Sequence, residues 1–234
     1  MKFLTVIFLP FLLVSIGIKA EYYSQSGQDQ WLNETIFFNK TGGVFIDIGA
    51  HDGISYSNSY FFEKERSWTG VCIEPMPDVF QLLKNNRKCK CIQACISDIE
   101  ETADFLRIIN KENKEIEMFS GLIKKYCEPH RYTLEHSVFP ESGGHFIIRV
   151  QCLLLNNILR ESGFVHIDYL SIDTEGGELD ILKSIDFNCF SIDVISVENN
   201  YYGIEIKDFL ESKGYQFIAR VGYDEIYRSR KYVA

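Results

Sequence analysis

Val44-Phe45-Ile46-Asp47-Ile48-Gly49-Ala50-His51-Asp52-Gly53 is an apolar, β-branched run broken by one acid and closed by two glycines four positions apart. Residues 44–48 read as a buried parallel strand, and the serine- and aromatic-rich stretch after Gly53 reads as a helix. A strand that feeds a glycine loop and then a helix aims backbone N–H groups at an anionic ligand, and glycine lets that ligand approach the main chain. The expected occupant is a nucleotide-like cofactor. The spacing D-x-G-x-x-x-G is neither the G-x-G-x-x-G of a dinucleotide fold nor a phosphate-binding G-x-x-x-x-G-K-[ST]. A strand ending in a glycine turn is also a common structural device, so the rest of the chain has to decide.

Strand-like and helix-like segments alternate outward from this stretch. Strands are expected at 70–74 (Gly-Val-Cys-Ile-Glu), 90–94, 167–173 and 192–198, then at 215–221 with a closing strand at 225–228. Helices are expected at 77–86, opened by a proline, at 177–184, and at 205–212, ended by Lys213-Gly214. Residues 103–140 break the rhythm with mixed charges, aromatics and Ser120-Gly121, and read as an insertion of short strands and loops covering the site. The alternation implies an α/β fold, an open and mostly parallel sheet with helices on both faces and ligands at the carboxyl ends of the strands.

Those carboxyl ends are polar where a core would be apolar. The first strand carries Asp47 and Gly49, the second ends Glu74-Pro75, and Ser97-Asp98 follow the third. The fourth ends Asp173-Thr174-Glu175-Gly176 and the fifth Glu198-Asn199-Asn200. One such acid is commonly a helix cap. Five at one edge point to a site. Glu74, 27 residues after Asp47, stands where an acid accepts both hydroxyls of a ribose in dinucleotide folds. Ser97-Asp98 suits either an adenine edge or a simple Asx turn.

The remainder of the chain bounds the function. Residues 1–20 are one lysine, an apolar stretch containing Pro10 and a small residue at the cut, which reads as a cleaved signal peptide, with a retained anchor as the alternative. Sequons at Asn33-Glu34-Thr35 and Asn39-Lys40-Thr41 follow, where the chain is expected to be exposed, and support a lumenal or secreted glycoprotein. The mature chain, 21–234, fits one domain. A net charge of −9 with no basic stripe excludes a nucleic-acid surface. Seven cysteines, without C-x-x-C pairs, suggest buried thiols with one or two disulfides of undetermined connectivity rather than zinc.

Residues 45–53, Cys72-Ile73-Glu74-Pro75, Ala94-Cys95-Ile96-Ser97-Asp98 and Leu170-Ser171-Ile172-Asp173-Thr174-Glu175-Gly176-Gly177-Glu178 together resemble the FkbM family of S-adenosylmethionine-dependent methyltransferases. Tyr23-Ser24-Gln25-Ser26-Gly27-Gln28-Asp29 and Arg66-Ser67-Trp68-Thr69-Gly70 resemble its animal, Star-like secretory branch. The resemblance runs from about Tyr23 to Arg228. It implies the class I methyltransferase fold, a Rossmann-like, seven-stranded sheet with the last strand antiparallel. It also implies that Asp47, Gly49, Ala50 and Gly53 shape the methionine end of the cofactor, with Glu74 and Pro75 at the ribose, Ser97 and Asp98 at the adenine, and Gln28 and Asp29 closing the pocket. His51 departs from the asparagine usual in bacterial relatives, and is expected beside the cofactor.

The implied reaction is methyl transfer to a hydroxyl of a glycan or small molecule, which needs a general base or a metal. Asp173 is the first candidate for base or orienter, with Glu175 beside it. Asp173, Glu198 and Asn199 offer hard oxygen donors for magnesium as the lesser alternative. The reading of a different class is a non-catalytic trafficking protein that binds secretory cargo on the same fold.

Overall fold

The structure is a computed structural model that describes residues 21–111 and 116–232. The signal expected over 1–20 lies outside the described residues. Strand β1 (Val44–Ile48) runs through the middle of the molecule because its alternate side chains are apolar on both faces. Phe45 joins an aromatic core with Leu32, Phe61, Phe62 and Trp68, and Ile46 and Ile48 join an aliphatic core with Leu155, Leu182 and Ile195. The aromatic face is covered by α1 (Gln28–Thr35), α2 (Tyr60–Arg66) and α3 (Pro77–Asn86).

The neighbours β2 (Thr69–Ile73) and β3 (Lys90–Ile92) pair in parallel on one side of β1. The chain then leaves this sheet. Strand β4 (Cys95–Ile96) belongs to a second sheet with β5 (Glu101–Ile109), β6 (Gly121–Leu122) and β7 (Gly144–Leu153), separated by the short helix α4 (Glu128–Thr133). After α5 (Leu155–Ser162) it returns as β8 (His166–Ile172), α6 (Glu178–Ser184), β9 (Ser191–Glu198), α7 (Glu205–Ser212), β10 (Tyr215–Val221) and β11 (Asp224–Ser229).

The main sheet has the order β10-β11-β9-β8-β1-β2-β3, and β11 alone is antiparallel to both neighbours. Seven strands, a reversal of order beside β1 and one antiparallel strand inserted near the far edge form the class I methyltransferase topology. In such a sheet the crevice outside the carboxyl ends, at the point where the order reverses, is where ligands bind. Here that point lies between β1 and β8.

Four expectations need correction. Residues 54–59 are turns and loop, so the glycine stretch does not run directly into a helix, and α2 starts only at Tyr60. The third strand ends at Ile92 because Ala94 lies in the crossing to the second sheet. The segment 103–140 is not only short strands and loops. It opens within β5, a nine-residue strand that pairs with the ten-residue β7 from Glu101↔Cys152 to Ile109↔Gly144. Its mixed charges include cross-strand partners, with Arg149 donating to Asp104 at 2.8 Å. The sequon at Asn33 is buried at 1% exposure on the inner face of α1, where its amide donates to Tyr22 and Asn39 and accepts from Arg66. Asn39 is exposed. Among the described residues no helix is long and apolar enough to cross a membrane.

Candidate active site

A cavity of about 380 Å³ opens at the carboxyl ends of β1, β2, β8 and β9, within the size range of small-molecule sites. Gly49 and His51 follow β1, Glu74 and Pro75 follow β2, Asp173 to Gly176 follow β8, and Glu198, Asn200 and Tyr201 end β9 and its loop. Ala94, Ile96 and Phe105 form an apolar wall, and Met118, Phe119, Ser120, Leu122 and Thr133 of the segment after β5 complete the enclosure. That segment is fastened down by Lys125, whose ammonium bridges Asp98 at 2.8 Å and Asp180 at 2.6 Å.

Gly49 is required by a close approach. Its φ is +87°, and a Cβ there would lie 1.7 Å from the carbonyl oxygen of Asp173. Asp173 N–H in turn donates to Ile48 at 3.0 Å, so the two strand ends are locked together. Gly53 serves a different purpose, since a Cβ would strike Leu83 and Arg87 under the loop.

Glu74 is almost fully buried, yet it lines the cavity. One oxygen accepts from His51 N–H at 3.0 Å and the other from Met76 N–H at 2.9 Å, which fixes the group in place. Burial pushes it up to about 7, against the backbone donors and the nearby His51 and Arg107. A carboxylate oxygen can accept more than one hydrogen bond, so both remain able to receive a ribose diol.

Asp173, Glu175 and Glu198 have carboxylate oxygens within 4.8 Å of one another. Burial pushes Asp173 up to about 8, reinforced by Asp224 and Glu178, while a hydrogen bond with Glu198 opposes the rise. Burial, with the charges of Asp173 and Glu178 adding to it, also lifts Glu175 and Glu198 well above the carboxylate range. One oxygen of Glu175 is buried without a hydrogen-bond partner. Among the described residues no lysine or arginine ion-pairs with these acids. His130 Nδ1 lies 3.7 Å from Glu175, but burial depresses that imidazole to about 4 and keeps it neutral. The turn that carries Glu175 is strained, with φ of +57° there and +122° and +94° at Gly176 and Gly177. Such strain gathers at functional sites.

The cavity brings together Gly49, His51, Glu74, Pro75, Asp173, Glu175 and Glu198 of the residues expected from the sequence. It does not bring in the others. Asp47 points under the loop and accepts from Ser59, which also receives from Arg87. Ala50 is buried behind the loop, where its N–H donates to Ile73. Gln28 donates to Asp224 at 3.3 Å, and Asp29 closes the turn before α1 by accepting from Tyr23 and Ser24. Gln25 of the same segment reaches the cavity instead. Ser97 is buried, and Asp98 is held outside the wall by Lys125, a hydrogen bond that lowers it to about 2. Both are displaced because the chain has already joined the second sheet. Asn199 is engaged in its own loop, donating to and accepting from Gly203, so Glu175 takes its place in the acidic set that could hold a metal.

Other groups around the cavity left little sequence signal. His51 Nε2 sits 3.1 Å from Glu117, and Glu117 accepts from Arg107 at 2.9 Å. Burial works against the His51 charge, but the Glu117 contact with the fields of Glu74 and Asp52 outweighs it and raises the imidazole. Tyr201 and Tyr223 face the cavity from the loops after β9 and β10.

The profile of the methyltransferase FkbM domain matches residues 47–217, more than half of the chain. The chain belongs to the FkbM methyltransferase family. No curated protein matches it by sequence. Among solved structures, an FkbM methyltransferase from Methylobacillus flagellatus KT is 12% identical over 80% of this chain and 43% of that one, with a TM-score of 0.46. The N-terminal domain of human METTL16 is 13% identical over 86% of this chain and 67% of its own, at a TM-score of 0.44. Precorrin-6y C5,15-methyltransferase from Geobacter metallireducens GS-15 is 13% identical over 80% and 79%, at 0.39. Family membership rests on the domain match, not on these distant likenesses.

The FkbM domain implies S-adenosylmethionine as methyl donor, and the residues present fit it. Glu74 offers paired acceptors for a ribose, Ala94, Ile96, Phe105 and Leu122 an apolar slot for a base, and Gly49 a backbone that a ligand can touch. The uncompensated Asp173, Glu175 and Glu198 suit a cation.

Proposed function

We propose that this FkbM domain is an S-adenosylmethionine-dependent O-methyltransferase of the secretory pathway, acting on a hydroxyl of a glycan or other small molecule. The observation that carries the reading is the set Asp173, Glu175 and Glu198 at the inner wall of the cavity, where burial raises Asp173 to about 8 and lifts its two neighbours as well. A hydroxyl is a poor nucleophile until its proton is being removed, and a base is most effective when its pKa lies near the working pH. Bound S-adenosylmethionine supplies an electrophilic methyl group and a positive charge. Glu74 orients the ligand from the β2 side, and the Met118–Leu122 side of the cavity excludes water. Asp173 in its ionised form takes the acceptor's proton, and Glu198, sharing a hydrogen bond with it, keeps the carboxylate aligned.

The apolar 1–20 stretch and the exposed Asn39 sequon support the secretory assignment. The test is single-turnover transfer of a labelled methyl group to glycan-derived hydroxyl acceptors. Wild type is expected to transfer, and Asp173→Asn to be slower by roughly a hundred- to ten-thousand-fold. Binding of the cofactor without transfer to any acceptor in a broad screen would favour the non-catalytic trafficking role.

A further inference from the structure

Beneath the aromatic face of the main sheet, away from the cavity, three of the seven cysteines meet. All seven are thiols in this structure. Cys72 lies near the end of β2 and is fully buried, and Cys89, half-buried, stands in the turn that leads into β3. Their sulfurs are 3.5 Å apart. Cys91 is the register partner of Cys72 across the β2–β3 ladder, but its thiol faces Cys89, meeting that residue's carbonyl at 3.6 Å and its side chain.

The turn that carries Cys89 is held from two sides. Glu63 accepts from the backbone N–H of Lys88 at 2.6 Å and of Cys89 at 3.3 Å. It also receives Arg87 Nε at 2.6 Å, a pair whose side chains are 9% and 0% exposed. The Arg87 charge thus lies buried beside both sulfurs; the contact with Cys72 and burial push the Cys89 thiol up, and Arg87 works against that rise. A disulfide needs its sulfurs close and its backbone able to accept the bridge. The contact meets the first condition, and Cys89 stands just before β3, where no strand pairing fixes its backbone.

We propose that Cys72 and Cys89 form a disulfide that ties β2 to the start of β3 across helix α3, with a small-molecule disulfide such as oxidised glutathione as the electron acceptor. The thiolate of the more accessible Cys89 attacks one sulfur of the small disulfide, forming a mixed disulfide and releasing one small thiolate. The Cys72 thiolate then attacks the Cys89 sulfur, forming the protein disulfide and releasing the second. The protein gives up two protons and two electrons, and the small disulfide is reduced to two thiols. Cys91 stays a thiol.

The chain without residues 1–20 is incubated with oxidised glutathione, free thiols are blocked with a maleimide, and the product is cut with trypsin without reduction. Cleavage after Lys90 puts Cys89 and Cys91 on separate peptides. The expected result is the Cys72 peptide joined to the Cys89 peptide, with maleimide on Cys91. Oxidation should also raise the melting temperature by about 5 °C or more, as closing a loop of this size stabilises a domain of this length. Cys91→Ser should keep that rise and Cys89→Ser should lose it. Maleimide on Cys72 after oxidation, a Cys72–Cys91 linkage, or a full rise in Cys89→Ser would overturn the proposal. The peptide map on wild type decides the pairing even if a variant folds poorly.

Discussion

In the proposed reaction Asp173 joins stability to chemistry through one proton. Its carboxyl is raised to about 8 by burial, with Asp224 and Glu178 adding to the rise. A carboxyl raised in the folded state binds protons more tightly there than in the unfolded chain, so its contribution to stability is complete below about pH 4 and is lost as pH rises toward 8. Asp173→Asn should therefore raise the melting temperature more at pH 8 than at pH 5, measured on the two proteins in parallel. Methyl transfer runs the other way. The ionised base is needed, so the single-turnover rate of wild type should climb with pH through about 8, and a rate flat from pH 6 to 9 would remove Asp173 from that role. Glu74 titrates near 7, and its ionised form is the better acceptor for a diol. Cofactor affinity should accordingly be greater at pH 8 than at pH 6 by titration calorimetry.

Elements differ in how openly the sequence displays them. Strand β1 is legible because it is apolar on both faces and runs into a glycine turn. Replacing Gly49 by Ala would put a methyl group on the Asp173 carbonyl and force an unfavourable φ. A loss of about 2 kcal/mol or more in denaturant stability is expected, together with weakened cofactor binding, because β1 and β8 must part. Unchanged stability would mean that this junction is plastic. The β5–β7 ribbon was illegible for a physical reason: Asp104 and Arg149 are outward partners in an antiparallel pair, and in sequence they look like loop charges. Acidic strand ends announced Glu74, Asp173, Glu175 and Glu198, whereas Met118, Phe119 and Tyr223 reach the cavity from turns with no periodicity. Asp98 follows the expected pattern locally, but tertiary structure gives it to Lys125.

At the scale of the molecule, two sheets divide the work. The seven-stranded sheet fixes the acids and the glycine loop, and the four-stranded sheet with its following helices supplies the apolar wall and the cover. The same packing decides where the surface can be modified. Asn33 is sealed between α1 and α2 by Arg66 and Tyr22, whereas Asn39 is exposed in the turn before β1. Expression in a secretory host should place a glycan on Asn39 and none on Asn33, as read by peptide mass spectrometry. Occupancy at Asn33 in folded protein would contradict the packing of α1. The most direct test of the central claim is titration calorimetry of S-adenosylmethionine into the chain without residues 1–20 and into its Glu74→Ala variant. Wild type should bind at one site, and the variant should bind about 10- to 150-fold more weakly, the loss of a hydrogen bond to a charged group, while remaining folded. No binding by wild type, or equal affinity in the two, would contradict a cofactor site built on the carboxyl ends of β1 and β2.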